Sequence, residues 1–382
     1  MEAHSQFLKA IVPNKHYYAE ASFDLEKQKV FQDSWYYVGL SDDLSAHQDF
    51  ITHEIGGKSV VVQNFKGELK AFHNVCTHRF NIIKSDKRGN GPLACPYHNW
   101  NYNKDGIPFG IPLKREFQGL DKDSLQELCL PQFNLEICGK FVFVNVSNSA
   151  PPLKDFLGET WAVLEEISGM VGRKVEYHEI PNKANWKILI ENTLEGYHIA
   201  SVHPTTFYKQ GFNLKSAVDF DIQGDHSSML LHLDPKAEEN KKRERFHKLI
   251  KDRPFQPKGF FHQLVFPNLS IGSLFGVTVY IGTIQAVSAT ESIFAYDLYE
   301  TNLGEGQLLD EAISEVVRYS SIEFTRTTLA EDKEICEHVQ EGMSQTANEK
   351  GVLNSSEIRI WEFQKAYMKA IETAMATNNR QA

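Results

Sequence analysis

Two cysteine–histidine pairs stand close together between Val75 and Trp100: Cys76 with His78, and Cys95 with His98. Sixteen residues rich in Lys, Gly and Asn separate the pairs, and the whole chain holds only five cysteines. Thiolates and imidazoles suit zinc or an iron–sulfur centre. Ligand type alone favours a structural zinc site. The order of the ligands argues the other way. Each pair runs Cys then His, at spacings Cys-x-His and Cys-x2-His, so each can give a thiolate to one iron and an imidazole to a second. Zinc fingers of mixed type instead tend to set a CxxC before an HxxxH. Gly89, Gly91, Pro92 and Pro96 predict tight turns whose amide N–H groups point at sulfur, and Tyr97 and Trp100 can shield such a centre from water.

A second constellation lies in "NWKILIENTLEGYHIASVHP", where Asn192, Glu195, His198 and His203 interrupt a helical, partly apolar pattern. Glu195 and His198 are three apart and share a helical face. His198 and His203 are five apart, which on a regular helix separates them by about 140°. They can serve one metal only if the helix ends or bulges between them. Pro204 supplies a reason, because the residue before a proline is pushed out of the helical region. Two His need a carboxylate to complete the facial triad of a non-haem Fe(II) site, which leaves positions open for O2. The segment "TTLAEDKEICEHVQEGM" offers Glu331, Asp332, Glu334 and Glu337. Leu329, Ile335, Cys336 and Val339 read as the apolar stripe of a helix, and Asp332 falls inside it. Glu331, Glu334 and His338 point elsewhere and read as a solvated face. A carboxylate on a buried face is costly unless paired or metal-bound, so Asp332 is the expected ligand.

The elements that must position these residues fall into two textures. From about Trp35 to Ser149 the chain reads as short strands broken by turns, with hairpins at Lys66-Gly67 and Asp105-Gly106. The segment "NSAPPLKDFLG" reads as a linker that starts a helix. Beyond it, "LKDFLGETWAVLEEI" and "NWKILIENTLEGYHIA" carry helical periodicity. "DFDIQGDHSSMLLHLD", "GFFHQLVF", "GVTVYIGTIQAVSA" and "ESIFAYDLYE" read as strands of an antiparallel sheet. "AEENKKRERFHKLIKDR" is charged nearly all round, as a solvated surface helix or flap would be. A long helix is expected from Gly304 to about Met343, and "SSEIRIWEFQKAYMKAIETAMA" supplies a last one. A sheet covered by long helices is an α+β arrangement.

The first pattern, "CTHR…CPYHNWNYNKDG", resembles the signature of a Rieske [2Fe–2S] domain. That likeness implies Cys76 and Cys95 on one iron, and His78 and His98 on the other. The second resembles the catalytic domain in the terminal oxygenase (α) subunit of Rieske non-haem iron oxygenases, and the likeness covers almost the whole chain. It implies a Rieske domain over residues 35–150 and a helix-grip catalytic domain over 1–34 and 151–382. His198, His203 and Asp332 would hold a mononuclear Fe(II), and Asn192 would line the site. Glu195 would take the bridging-carboxylate position that many members fill with Asp. The same likeness implies a homotrimer in which His98 of one chain bonds Glu195 of the next. Electrons would come from a separate NAD(P)H-dependent reductase or ferredoxin. The stretch "ENTLEGYHIASVHP" is most similar to members acting on quaternary ammonium compounds, with hydroxylation of aromatic acids or heterocycles as the rival. Such a substrate would call for an aromatic cage, for which Phe261, Phe266, Phe275, Tyr280 and Tyr296 are available. An alternative of another class is a zinc-stabilised helix-grip ligand-binding protein without catalysis.

Composition narrows the partners. Forty basic against fifty acidic side chains give a net charge of −10, which argues against nucleic acid and against an anionic membrane surface. No apolar run approaches the length that spans a bilayer, and "MEAHSQFLKAIVPNK" shows neither a signal nor a transit pattern. Cys129, Cys138 and Cys336 show no scaffold spacing, so a reducing cytoplasm is the expected location. No G-x-G-x-x-G follows a strand, which is why the reductase is expected to be separate.

Overall fold

The computed structural model describes residues 8–234, 257–301 and 311–378. It divides into two compact units, one of Glu26–Phe156 and one of Met1–Leu25 with Leu157–Ala382. The charged segment 237–253 and the start of the helix expected from Gly304 lie outside the described residues. Among the described residues no helix is long and apolar enough to cross a membrane.

Strands are numbered along the chain from β1 (Leu8–Lys9). The Glu26–Phe156 unit is built on β2 (Tyr36–Leu40), β3 (Asp49–Ile55), β4 (Lys58–Phe65), β5 (Glu68–His73), β6 (Arg88–Asn90), β9 (Gln132–Cys138) and β10 (Phe141–Asn145). They form one antiparallel sheet in the order β2-β10-β9-β5-β4-β3-β6, and β7 (Asn101–Tyr102) with β8 (Pro108–Gly110) adds a small hairpin. Runs such as Val60-Val61-Val62 favour strand because β-branched side chains fit the pleat, and all three are buried. The turn between β4 and β5 falls at Lys66-Gly67, with φ of 58° and 95°. Two residues at positive φ make the type I′ hairpin whose twist matches its strands. At Gly106, φ is 75° and a Cβ would stand 2.9 Å from the Leu130 carbonyl oxygen, so glycine is required there. The core of this unit includes Phe50, Val61, Phe72, Trp100 and Leu130, and with them Cys76 and Cys95.

The other unit carries a seven-stranded antiparallel sheet of β11 (Val171–Asn182), β12 (Val218–Gln223), β13 (His226–His232), β14 (Gly259–Val265), β15 (Leu269–Leu274), β16 (Thr278–Ala286) and β17 (Ser292–Thr301). Its order is β11-β17-β16-β15-β14-β13-β12. The strands read from sequence are all present. β11 and β15 had not been recognised, because Gly172, Pro181 and Gly272 blur their alternation. A helix from Glu311 to Ser344 packs on the Trp186–Thr193 helix and on β11. The last helix runs from Ile358 to Asn378, and β1 pairs with the short β18 (Val352–Leu353) before it. The α+β expectation holds, with a sheet and helices on one unit, while the other, expected to be all-β, is a sheet that also carries the short helix Lys122–Glu127.

Candidate functional site

The two Cys–His loops are conformational twins. The Cys76 amide donates to the Asn81 carbonyl at 2.8 Å and the Phe80 amide to the Cys76 carbonyl at 2.9 Å. In the second loop Cys95 donates to Trp100 at 2.9 Å and Asn99 to Cys95 at 2.8 Å. The residue four past each cysteine is left-handed, with φ of 59° at Phe80 and 56° at Asn99. The imidazoles of His78 and His98 meet edge to face with ring centroids 4.7 Å apart.

Burial pushes the Cys95 thiol up, and the Tyr97 and His98 amides oppose this by donating to its sulfur. Thiolates held in this way are prepared for metal. Trp100 is buried and stacks flat on His78, with ring centroids 4.6 Å apart. Tyr97 lies against His98 but is largely exposed, so it covers the ring without sealing it from water. Sequence reasoning missed Tyr102. Its hydroxyl accepts from the Thr77 amide at 3.1 Å and stands 3.0 Å from Cys76 Sγ and 3.2 Å from Thr77 Oγ1, so its own proton can serve the sulfur. Burial and Cys76 hold that phenol well above its usual pKa, so it stays a donor. The only signal was a tyrosine in the strand after the second loop. His78 Nδ1 is buried without a hydrogen-bond partner, which fits a nitrogen that carries metal rather than a proton.

The second constellation forms where a helix fails twice. The Trp186–Thr193 helix, capped by the Asn185 side chain, ends before Glu195. A single turn, Ile199–Val202, follows with His198 just before it and His203 just after, the latter at φ −113° and ψ 51°. The expected break ahead of Pro204 is present. The expected helical face shared by Glu195 and His198 is not. Those two meet in the turn around Gly196, where Glu195 accepts from His198 Nδ1 and from the His198 amide at 3.2 Å.

His198 Nε2 and His203 Nε2 lie 3.2 Å apart. Asp332 Oδ1 is 3.0 Å from His203 Nε2 and 3.6 Å from His198 Nε2. Glu331 corrects the sequence reading, which gave it a solvated face. It accepts from His203 Nδ1 at 2.8 Å, from Thr205 Oγ1 at 2.8 Å and from Thr206 Oγ1 at 2.9 Å. The His203 ring lies across the helix, so consecutive residues reach its two nitrogens. The apolar stripe is corrected as well. Ile335 and Val339 are exposed, and the inward line is Thr328, Asp332, Cys336 and Gln340.

Both imidazoles spend their Nδ1–H on a carboxylate, Glu195 for His198 and Glu331 for His203. This directs the Nε2 lone pairs at the Asp332 oxygen, which is buried with no hydrogen-bond donor. Three acceptors at 3.0–3.6 Å repel one another unless a cation lies among them. Donors at bond lengths of about 2.1 Å and right angles would stand about 3.0 Å apart. The set of two His and one Asp fits a non-haem iron site, and the three residues are grouped as a metal would need. Burial alone would lower the His203 pKa, yet Asp332 and Glu331 outweigh it and raise it. The site draws positive charge.

The three acceptors border a cavity of about 490 Å³, which Asn192 also lines. Of the aromatics available for a cage, Phe275 and Tyr280 line it, whereas Phe261, Phe266 and Tyr296 are not among its residues. Phe207, Phe260 and Phe324 are, with Phe207 centred 4.9 Å from Phe260 and 5.1 Å from Phe324. Strand alternation puts Phe260 on the cavity side and so turns Phe261 away.

An iron–sulfur β unit followed by a sheet-and-helix unit with a two-His, one-Asp cluster defines the Rieske-oxygenase class of protein. Residues 34–133 match the Rieske [2Fe–2S] domain, and residues 171–373 match the ring hydroxylating alpha subunit (catalytic domain). The chain belongs to this ring-hydroxylating α-subunit family, and its cofactors are a [2Fe–2S] cluster and a mononuclear iron. The zinc alternative falls with that assignment. Among curated relatives, the glycine betaine monooxygenase oxygenase subunit of Pseudomonas aeruginosa strain UCBPP-PA14 is 30% identical over 50% of this chain and 44% of its own length. The chain thus spans under half of that relative. The carnitine monooxygenase oxygenase subunit of Acinetobacter pittii is 26% identical over 76% of both chains. In fold, the quaternary ammonium Rieske monooxygenase CntA matches with a TM-score of 0.78 and 21% identity, over 96% of this chain and 97% of that one. Naphthalene 1,2-dioxygenase from Rhodococcus sp. matches at 0.75 and 19%, over 94% of each.

Proposed function

We propose that this chain is a terminal oxygenase subunit that takes electrons from a separate NAD(P)H-dependent reductase or ferredoxin and uses O2 to hydroxylate, or oxidatively demethylate, a small organic substrate. The observation that carries the reading is the trio of converging acceptors, His203 buried and His198 and Asp332 partly so, with each histidine held on its far side by a carboxylate. In this reading Cys76, Cys95, His78 and His98 hold the cluster, and His198, His203 and Asp332 hold the iron. The cluster supplies single electrons, and the iron supplies O2 activation.

The chain's own residues do the rest. Glu195 and Glu331 fix the tautomers of His198 and His203 and keep both Nε2 atoms free of protons. The phenylalanine wall of the cavity excludes water and packs an apolar part of the substrate, while Asn192 offers an amide at its rim. Glu195 also serves as the bridge toward His98 of a neighbouring chain in a homotrimer, giving electrons a hydrogen-bonded route. The names of the relatives favour a quaternary ammonium substrate, whose methyl groups suit an aromatic-walled cavity. The naphthalene dioxygenase fold and the same wall support an aromatic substrate as the second reading.

Iron and zinc analysis with oxygen uptake tests the proposal. We expect a brown protein with about three irons per chain. His198→Ala should keep the Rieske absorption and EPR signal while losing the mononuclear iron and all reductase-coupled oxygen uptake. A colourless, zinc-loaded chain would end the reading.

A further inference from the structure

The cavity floor is one row across five strands. Met229, His262, Gly272, Tyr280 and Leu298 stand opposite one another in successive strand pairs, and all five line the cavity. The glycine at the centre of the row makes room for its neighbour. A Cβ on Gly272 would come within 2.0 Å of Tyr280 Cε1, so the Tyr280 ring lies over that position.

Beneath this floor a guanidinium is buried. Arg359, from the last helix, is wholly inaccessible. It donates to Ser227 Oγ at 3.0 Å, the Ser227 carbonyl at 2.9 Å, the Leu194 carbonyl at 3.3 Å and His262 Nδ1 at 3.0 Å. All four acceptors are neutral, and among the described residues no carboxylate pairs with it. Burial brings its pKa down to about 9, which still leaves it charged at neutral pH. An unpaired buried charge is costly, and a cavity directly above it is where an anion would repay that cost.

The hydrogen-bond directions follow from the donor. Arginine has no acceptor, so His262 Nδ1 accepts and the ring is neutral with its proton on Nε2. Burial and Arg359 both hold the His262 pKa well below its usual value, in agreement. His262 Nε2 then donates to Ser270 Oγ at 2.9 Å. Ser270 is fully buried, and among the described residues its other side-chain partner is the Tyr280 hydroxyl at 3.3 Å, to which the serine can give its proton. The phenol of Tyr280 keeps its proton, its pKa pushed by burial up to about 12. With its oxygen occupied by serine, the Tyr280 O–H is left to donate into the cavity.

We propose that the Tyr280 hydroxyl, oriented by the Ser270–His262–Arg359 chain, is the binding point for a substrate carboxylate, so that the cavity selects small molecules carrying one. The inference rests on the reading of this cavity as the substrate site. It separates carboxylated substrates from alcohols of the same shape, because only the anion draws on the charge below the floor.

Calorimetric titration of the holoprotein with matched probes tests it: glycine betaine against choline, and benzoate against benzyl alcohol. Iron content and near-ultraviolet circular dichroism verify that Tyr280→Phe and Ser270→Ala are folded and loaded. The readout is the ratio of affinities, acid over alcohol. A hydrogen bond to a charged group predicts that Tyr280→Phe lowers this ratio by about tenfold, with a smaller fall in Ser270→Ala. A fall of less than about threefold in Tyr280→Phe, or no binding of either acid to the wild-type chain, overturns the assignment. Oxygen uptake is measured on the same samples. An unchanged ratio in Tyr280→Phe, with uptake by the wild-type chain intact, refutes only the carboxylate site. A preserved ratio shift without uptake refutes only the oxygenase reading.

Discussion

Glu331 and Asp332 are neighbours in the chain, yet they reach opposite nitrogens of one imidazole. Asp332 Oδ1 stands 3.0 Å from His203 Nε2, and Glu331 Oε2 accepts from Nδ1 at 2.8 Å. The second contact sets which nitrogen carries the proton, so it governs the first. Carboxylates in that position typically contribute 10- to 100-fold in metal affinity. Glu331→Gln should therefore weaken mononuclear iron binding by about that factor, measured by chelator competition, with the Rieske spectrum unchanged. Unaltered affinity would return Glu331 to the solvated face that helix periodicity assigned it. Periodicity failed there for a simple reason: it ranks positions by angle about one helix, and a ring from another segment can cover two adjacent positions.

At the scale of elements, the site depends on where the Trp186–Thr193 helix stops and how its buried side is held. Glu191 on that helix is largely buried, and it accepts from Tyr17 Oη at 2.6 Å and Gln364 Nε2 at 3.0 Å. Lys187, also buried, places its ammonium 5.1, 5.2 and 4.9 Å from the ring centres of Tyr17, Trp186 and Tyr367. Burial pushes the Glu191 carboxyl up to about 7, against the lowering effect of these partners and of Lys187. Between the usual carboxylate value and 7 the folded chain holds a proton that the unfolded chain has lost. Stability from this group is therefore full below that window and declines as pH rises through it, by on the order of 3 kcal/mol in total. Glu191→Gln should flatten the corresponding fall in urea midpoint between about pH 4.5 and 7. An identical pH profile in the variant would remove Glu191 as the cause. The longer helices, the hairpins and most strands were legible beforehand from their periods and turn residues, whereas the short helices Glu20–Glu26 and Lys122–Glu127 were not. Helix ends inside the "ENTLEGYHIASVHP" stretch were only half legible, since Pro204 announces one break and nothing as strong announces the one after Thr193.

At the scale of the whole molecule, the proposed assembly turns on Glu195. Its carboxylate holds the His198 ring and caps the turn that carries it, and the proposed bridge to a neighbour's His98 needs the same group charged. Glu195→Gln should keep both metal centres and lower reductase-coupled turnover by about 10- to 100-fold. Stopped-flow reduction would place the loss in electron transfer, with cluster reduction unaffected and its reoxidation slowed. Normal turnover in the variant would remove the bridge.

Ligand chemistry, ligand order and the two domain textures were all determined by the chain taken as text, because metal preference follows from donor type and strand or helix from local period. The expectation of Asp332 as a ligand came from the same text, although two of the apolar neighbours used to find it are exposed. Tyr102 beside Cys76, Glu331 behind His203, the phenylalanines on the cavity wall and the buried Arg359 below its floor were decided only by the folded structure. Each of them acts on a partner tens to hundreds of residues away, or through the facing of a strand, and no local pattern reports what a distant segment will lay against a side chain.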